Sequence, residues 1–491
     1  MFSKNSPINQ TTLTQLLDAL GSLLYTANLE FDSRRVGSNS IFCAYPGNTI
    51  DGRQFIEDAI KKGAKFILWE NGINFDFPVA NFGVENLKHY IGLLASIRYN
   101  NNLSKVIGVT GTNGKTSIAH WLSQLYTLMQ QKVGIIGTTG AGVYPDTKYN
   151  DATTPDPLML QQLIADFSKQ KIDVLNMEVS SHAIHQGRVN GITYTTAIFT
   201  NLTLDHLDYH HDMESYYQAK RDLFFWHDLT NAVINTDDEY GRRLFNELKL
   251  QNPQVRLIDY GVSSGTLKAL DIKIDLSGMK FSLSYNGELV KCQVSVIGRF
   301  NIYNLLAVTG ALIVDGYTLS EITLLLNQIT PVCGRMDTIV VANKPLVVID
   351  FSHTPDSLKN ALSTLKEIEN MGKLYCVFGC GGNRDSTKRP LMGDIASTLS
   401  DYVIVTSDNP RFEEPEEIIR QITIGIKRDN FITIPDRTSA IKYALKIAHP
   451  GDIVLIAGKG HETYQEVKGI KSLFSDFDVA RKFLISKSSE I

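Results

Sequence analysis

Apolar positions fall along the chain in two rhythms. Short unbroken runs at Val106–Thr110, Val133–Ile136, Val174–Glu178, Ala197–Thr200 and Ala232–Asn235 have the length of strands buried on both faces. Between them apolar residues recur at helical spacing, as at Ile118, Trp121, Leu122, Leu125 and Leu128, and over Met213–Phe225. That alternation predicts a mainly parallel sheet covered by helices. Residues 254–297 alternate with a period of two, as in Phe281-Ser282-Leu283-Ser284, and predict an antiparallel insertion. After the turn-rich Pro331–Arg335 the first rhythm returns. Strands are expected at Leu346–Asp350, Leu374–Phe378, Tyr402–Thr406 and Ile453–Ile456, with helices near 356–368, 388–400, 415–427 and 437–448. Residues 1–100 mix helix and short strands around turn signals at Pro46-Gly47 and Asp51-Gly52, and a polar break at Asn100-Asn101-Asn102 closes them.

Length turns this pattern into several domains, because 491 residues exceed one hydrophobic core. With 43% hydrophobic and 20% charged residues the composition is that of a globular protein, and a net charge of −4 gives no reason to expect a nucleic-acid partner. No apolar run reaches the roughly 18 residues of a membrane span. The first residues show no secretory h-region, so a cytoplasmic location is expected. Five cysteines without a Cys-x-x-Cys disfavour a disulfide framework or a zinc site, and Cys376 and Cys380 read as small buried residues.

Candidate chemistry lies where strands end. Gly111-Thr112-Asn113-Gly114-Lys115-Thr116, followed by Ser117, joins the Val106–Thr110 strand to a helix. Glycines let backbone N–H groups approach a nucleotide's phosphates, Lys115 would neutralise their charge, and the Thr116 hydroxyl would hold Mg²⁺. Val109 stands where the usual pattern has its first glycine; the plain alternative is a glycine turn before a helix. Glu178 closes a strand, which suits a Mg²⁺ ligand or a capping carboxylate. Asn201, Asp205, His206 and Asp208 cluster after Thr200 and suggest a further metal, or a hydrogen-bonding histidine. Lys220 has aromatic or apolar neighbours three and four residues away, so its amine is expected to be desolvated, neutral and open to CO₂. On residue chemistry alone a snorkelling lysine is the simpler reading. Arg411 in Asp408-Asn409-Pro410-Arg411 could grip a carboxylate or pair with Glu413 or Glu414, and Arg384 with Glu462 could complete a site for a zwitterion.

Ordered along the chain, Asp32-Ser33-Arg34, Gly111–Thr116, Thr153-Thr154-Pro155, Glu178–His182, Asp205–Asp208, Asn301-x-x-Asn304, His353-Thr354-Pro355, Gly379–Arg384, Asp408–Arg411 and Gly458–Glu462 resemble the Mur ligases, ATP-dependent amino-acid ligases of peptidoglycan synthesis. The similarity runs over essentially the whole chain and leans to the branch that adds 2,6-diaminopimelate. It implies three α/β domains: a UDP-binding domain at 1–102, a central P-loop-type ATP-binding domain with a mainly parallel sheet at 103–334, and a Rossmann-like amino-acid domain at 335–491. It implies that Gly111, Thr112, Asn113, Gly114, Lys115, Thr116, Ser117, Asn304, Arg335 and Asp350 meet ATP. Phe31, Ser33, Asn48, Thr49, Ile50, Ala152, Thr153, Thr154, Ser180, Gln186 and Arg188 would hold the UDP-sugar peptide. Arg384, Asp408, Asn409, Pro410, Arg411, Gly458 and Glu462 would receive diaminopimelate. Thr116, Glu178, His206 and Lys220 would serve Mg²⁺, with Lys220 carbamylated, which reverses the simpler reading of that lysine. Asp350-Phe351-Ser352-His353 stands where relatives often have Asp-Tyr-Ala-His. The resemblance further implies a cytoplasmic monomer acting on small molecules through an acyl phosphate, with closure of the domains on ATP. Rivals are a lysine-adding or D-alanyl-D-alanine-adding sibling, folylpolyglutamate synthetase, and an ATP-hydrolysing switch without ligation.

Overall fold

A computed structural model of the chain describes residues 2–47, 50–74, 76, 78–100, 103–148, 152–275, 277–368 and 371–486. The chain forms two compact units, one of residues 1–268 with 303–318 and one of 269–302 with 319–491. Among the described residues no helix is long and apolar enough to cross a membrane.

The first unit opens with a four-stranded parallel sheet whose order follows the chain: β1 (Asn28–Glu30), β2 (Ser40–Ala44), β3 (Phe66–Glu70) and β4 (Ala80–Val84). Every residue of β2 is buried, so both faces are covered. Leu16, Leu20, Ile41, Leu68, Tyr90 and Leu94 pack on one side, with Leu158 joining them from the helix Pro157–Lys169. Phe42, Ile56, Ala59 and Ile67 fill the other side. Asn100, left-handed at φ 50°, ends the helix Lys88–Tyr99; Asn101 and Asn102 lie outside the described residues.

The larger sheet of this unit is built from β5 (Val106–Thr110), β6 (Val133–Gly137), β7 (Gly140–Val143), β8 (Asp146–Lys148), β9 (Val174–Glu178), β10 (Thr196–Phe199), β11 (Asn231–Asn235) and β12 (Arg256–Gly261). Their order is β12-β11-β10-β5-β9-β6-β7-β8. β5 lies between β10 and β9, parallel to both. The sheet therefore grows outward in two directions from β5, and the loops on either side diverge at its carboxyl end. Gly108 within β5 makes room for a neighbour, since a Cβ there would lie 2.8 Å from the Tyr194 ring. β7 and β8 form an antiparallel edge.

Two expectations change here. β12, placed in the antiparallel insertion, runs parallel to β11, with Arg256 opposite Asn231. Its polar Arg256 and Asp259 imitate a strand with one wet face. The helix expected over Met213–Phe225 is α-helical only to Arg221 and tightens into a 3₁₀ turn at Asp222–Phe225. Leu223, Phe224 and Phe225 are all buried, which the tighter turn permits by spreading consecutive side chains around its axis.

β13 (Leu267–Asp275) starts parallel to β12. In the second unit β14 (Gly278–Tyr285) and β15 (Glu288–Val294) form the expected antiparallel hairpin. Asn286 and Gly287 both have positive φ at its two-residue turn, the geometry that Asn-Gly favours. Next come β16 (Asp337–Ile339), β17 (Leu346–Asp350), β18 (Leu374–Phe378), β19 (Tyr402–Val405), β20 (Phe431–Thr433) and β21 (Ile453–Ala457), in the order β16-β17-β21-β18-β19-β20. β16 is antiparallel and the rest parallel. A small antiparallel hairpin, β22 (Tyr464–Val467) and β23 (Ile470–Leu473), follows. Helices start where the sequence can cap them: Thr354 and Ser357 form a capping box for Pro355–Lys366, and Asp436 caps Arg437–Ile447. Cys376 and Cys380 are buried, as expected.

Arg437 and Asp476 are fully buried and paired through two bonds of 2.8 and 2.7 Å. Arg437 also donates to the Ser407 and Ala457 carbonyls, which fastens the ends of β19 and β21. Asp476→Ala strands a buried guanidinium and is expected to lower stability by about 3–5 kcal/mol. Urea denaturation of the full chain measures this, and a loss below about 1 kcal/mol, typical of an exposed pair, would contradict it.

Candidate active site

In the first unit the ends of β5, β9 and β10 supply one polar cluster. Gly111 and Gly114 have φ of 146° and 89°. Cβ atoms there would lie 1.8 Å from Thr200 Oγ1 and 2.3 Å from Asn304 Oδ1, so only glycine admits these neighbours. The residues after β10 clamp the loop from below. Thr112 N donates to the Asn201 carbonyl and Asn113 N to Asn201 Oδ1, each at 2.9 Å, and Thr200 Oγ1 donates to the Asn113 carbonyl at 2.6 Å.

Two lysines bond to the loop carbonyls. Lys115 Nζ donates to the Gly111 and Thr112 carbonyls, 2.8 Å each. Lys220 Nζ donates to the same Gly111 oxygen at 2.9 Å and stands 4.6 Å from the Tyr216 ring centre. Lys220 is only 1% exposed. Burial, and secondarily the Lys115 charge, hold its pKa well below the ordinary lysine value.

Glu178 is the acidic wall, 1% exposed. It accepts from Thr116 Oγ1 at 3.0 Å, Thr138 N at 2.8 Å and Thr138 Oγ1 at 3.2 Å. Gly137 leaves space for it, since a Cβ there would lie 2.2 Å from Glu178 Oε1. These described partners are neutral, so an oxygen-liking cation suits the Thr116–Glu178 pair. Among the described residues no three His, Cys, Asp or Glu side chains form a metal-binding group. The Asp208 side chain, part of the further metal group expected around Asp205, lies outside the described residues. His206, half exposed, lies 3.3 Å from Asp205, and its ring centre is 4.8 Å from that of His182. His210 is buried against Ser181 Oγ at 2.9 Å, and burial, reinforced by His182, drives its pKa down to about 4.

A second polar group adjoins Glu178. Thr138 and Thr153 hydroxyls are 3.0 Å apart, and Thr154 Oγ1 donates to the Glu178 carbonyl at 2.9 Å. Ser180 N donates to Thr154 Oγ1 at 3.1 Å. Arg188 reaches the Thr154 carbonyl and Gln186, and Gln186 holds the Tyr209 hydroxyl. Burial pushes the Tyr45 hydroxyl, just after β2, up to about 12.

In the second unit a cluster gathers beyond β18, β19 and β21. Asn409 is its hub: Nδ2 donates to Glu462 Oε2 at 2.8 Å, and Oδ1 accepts from Lys459 Nζ and Glu466 N at 3.0 Å each. Gly382 N donates to the Asn409 carbonyl at 2.9 Å. Gly458 leaves room for Asp408, whose Oδ2 would be 2.6 Å from a Cβ there. Arg411 adopts left-handed φ 52°, donates through Nη1 to the Gly382 carbonyl at 2.8 Å and lies 3.5 Å from Glu466. It does not pair with Glu413 or Glu414, which go to Arg389 and Lys468. A Cβ on Gly381 would lie 3.0 Å from Arg411 Nη1 and 3.8 Å from Arg384 Cγ, so both arginines border that glycine. Asp350 accepts from Met336 N at 2.8 Å, and the neighbouring Arg335 lies over the Phe351 ring at 4.9 Å.

Family comparison matches three models: "Mur ligase family, catalytic domain" at 26–99, "Mur ligase middle domain" at 109–312, and "Mur ligase, glutamate ligase domain" at 334–460. The UDP-N-acetylmuramoyl-L-alanyl-D-glutamate–2,6-diaminopimelate ligase of Chromobacterium violaceum is 44% identical over 96% of each chain. The ligase of the same name from Neisseria meningitidis serogroup A is 44% identical over 99% of this chain and all of its own. The chain belongs to the Mur ligase family. A solved ligase of the same name matches with a TM-score of 0.72 at 34% identity, covering 94% of this chain and 95% of its own. MurF from Thermotoga maritima, solved with ADP, shares the fold at a TM-score of 0.63 and 18% identity, covering 95% and 99%. The three-domain α/β architecture expected of the family is thus present, and this Mur ligase is an enzyme of the ligase class.

Most of the expected residues fall into the groups above. Phe31 and Ser33 follow β1; Phe31 packs against the N-terminal core, and the Ser33 carbonyl accepts from Lys62. Ile50 is exposed, Asn48 and Thr49 lie outside the described residues, and Ala152 lies just before Thr153. Sequence reasoning missed Thr138, Tyr209 and Lys459. Only Lys459 had a signal, its place inside Gly458–Glu462. Gly114→Ala puts a Cβ against Asn304 at positive φ, a strain of about 1–3 kcal/mol. Calorimetry is expected to show ADP affinity falling about tenfold or more, and unchanged affinity would contradict the tight loop.

Proposed function

We propose that the chain adds meso-2,6-diaminopimelate to the D-Glu γ-carboxylate of UDP-N-acetylmuramoyl-L-alanyl-D-glutamate, with ATP consumed to ADP and phosphate. The observation that carries the choice of amino acid is the pair Arg384 and Arg411 bordering Gly381, beside the Asn409–Glu462 cluster. Diaminopimelate exceeds lysine by a distal carboxylate, and a guanidinium is the matching group. Relatives 44% identical and bearing that activity in their names support the reading.

Domain limits at 102 and 334 are proposed with it, as are the cytoplasmic location and a monomer. Phe31, Ser33 and the 48–50 loop take the uridine end. Ala152, Thr153, Thr154, Ser180, Gln186 and Arg188 take the sugar peptide. Thr112, Asn113 and Ser117 line the phosphate loop, while Asn304, Arg335 and Asp350 meet the rest of ATP.

A carboxylate does not condense with an amine in water without activation. The γ-carboxylate attacks the γ-phosphorus, ADP leaves, and an acyl phosphate forms. Lys115, already folded over the loop, offsets the phosphate charge during transfer. Thr116, Glu178, His206 and a carbamate on Lys220 would hold Mg²⁺, which when bound neutralises charge on the phosphates. The carbamate forms when the neutral Lys220 amine adds CO₂ and releases a proton; burial, with the Lys115 charge, lowers its pKa and so favours the neutral form. Diaminopimelate is held by Asp408, Asn409, Gly458 and Glu462, with Pro410 shaping the turn; its free neutral amine attacks the acyl carbon, the nitrogen gives up a proton to solvent, and phosphate departs from the tetrahedral intermediate.

An amino-acid panel with nucleotide dipeptide and MgATP tests this. Phosphate release is expected to require both the dipeptide and diaminopimelate. Arg411→Ala is expected to raise the diaminopimelate KM by about ten- to a hundredfold, the worth of a charge-assisted contact of about 1.5–3 kcal/mol, with the nucleotide KM unchanged. Equal use of lysine by the wild type would overturn the assignment.

A further inference from the structure

Lys459 has no assigned part in this chemistry, yet it is the most deeply placed cation of the second cluster, with no exposed surface. A lysine in such a place is unfavourable unless paired. It is paired: Nζ donates to Glu462 Oε2 at 2.7 Å and to Asn409 Oδ1 at 3.0 Å, and stands 5.4 Å from the Tyr464 ring centre.

The details of that pairing have a direction. Both described hydrogen bonds to the Glu462 carboxylate, from Lys459 and from Asn409 Nδ2, use Oε2. Among the described residues Oε1 accepts none. Asn409 is committed at both ends of its amide, since Oδ1 takes Lys459 and Glu466 N while Nδ2 goes to Glu462. A closed triangle of ammonium, amide and carboxylate therefore fixes which face of Glu462 stays available. Asp408 repeats the pattern, with Oδ1 taken by Asn409 N at 2.7 Å and no described bond at Oδ2. Two carboxylate oxygens are left for an incoming ammonium, while Lys459 cancels the excess negative charge that the pair would otherwise bury.

Building on the amino-acid-site reading above, we infer that Lys459 is a positioning residue for the entering amino acid, acting through Glu462: its buried ammonium holds the carboxylate so that Oε1 faces the substrate ammonium. Lys115, Thr116 and Glu178, which the reading above places at the phosphates and metal, belong to the other unit, and in this unit Asp350 bonds to Met336 N.

Steady-state kinetics of Lys459→Met test this, since the thioether side chain keeps the volume and removes the charge. The KM for diaminopimelate is expected to rise about tenfold or more. The ATP and nucleotide-dipeptide KM values are expected to stay within about twofold and kcat within about threefold. Glu462→Gln alone is expected to raise the same KM, and Lys459→Met/Glu462→Gln to be no worse than the worse single variant by more than about twofold, because the two residues act as one unit. If Lys459→Met does not fold, the double variant, which removes the Lys459 and Glu462 charges together, is compared with Glu462→Gln alone: a similar KM supports the inference and a further rise of about tenfold overturns it. Lower kcat or thermal midpoint with an unchanged diaminopimelate KM overturns it as well and leaves Lys459 structural. A wild type that does not accept diaminopimelate would instead bring down the site reading on which the inference stands.

Discussion

Two lysine side chains converge on one carbonyl oxygen, that of Gly111, at 2.8 and 2.9 Å. Two ammonium groups sharing an acceptor repel, and the buried one yields first, because desolvation already disfavours its charge. Lys115 keeps access to solvent; Lys220 is the buried partner whose pKa falls. The backbone carries the constraint further. Gly111 turns its carbonyl toward both lysines at a positive φ, and Thr200 packs where a side chain would have been. One loop carbonyl thus gathers both lysine side chains, one partly solvated and one buried with a lowered pKa.

Both units use one geometric device. In each, the central strands are parallel and buried, and polar residues gather just beyond their carboxyl ends. What differs is how charge is managed there. Beside β5 a buried carboxylate is satisfied by neutral donors and by backbone, which suits an added cation. Beside β18 and β21 the buried charges are paired internally, Arg437 with Asp476 and Lys459 with Glu462, while Arg384 is left exposed and Arg411 half-buried. The first arrangement suits phosphate and metal, and the second a zwitterion.

Much of this was legible in the chain. Val106–Thr110, Val174–Glu178, Leu346–Asp350 and Leu374–Phe378 are strands with the bounds expected, because each is a mostly apolar run of strand length ended by a polar or glycine-rich segment. The strand Arg256–Gly261 was assigned to the wrong kind of sheet, since periodicity reports burial and not the direction of a neighbour. Glu178, Lys220 and Arg411 stood out by residue type at a strand end or on a helix face. Thr138 and Asn409's double bonding did not, because their importance lies in contacts across dozens of residues. Of the two readings of Arg411, the surface pair with Glu413 or Glu414 is absent; the hairpin that begins at Tyr464 brings Glu466 to within 3.5 Å instead.

Carbon-13 magnetic resonance of the full chain, equilibrated with labelled bicarbonate, Mg²⁺ and ATP, tests the paired lysines most directly. A carbamate carbon in the wild type that vanishes in Lys220→Met is the expected result. A wild-type spectrum without that carbon would contradict a neutral, CO₂-accepting amine beside Gly111.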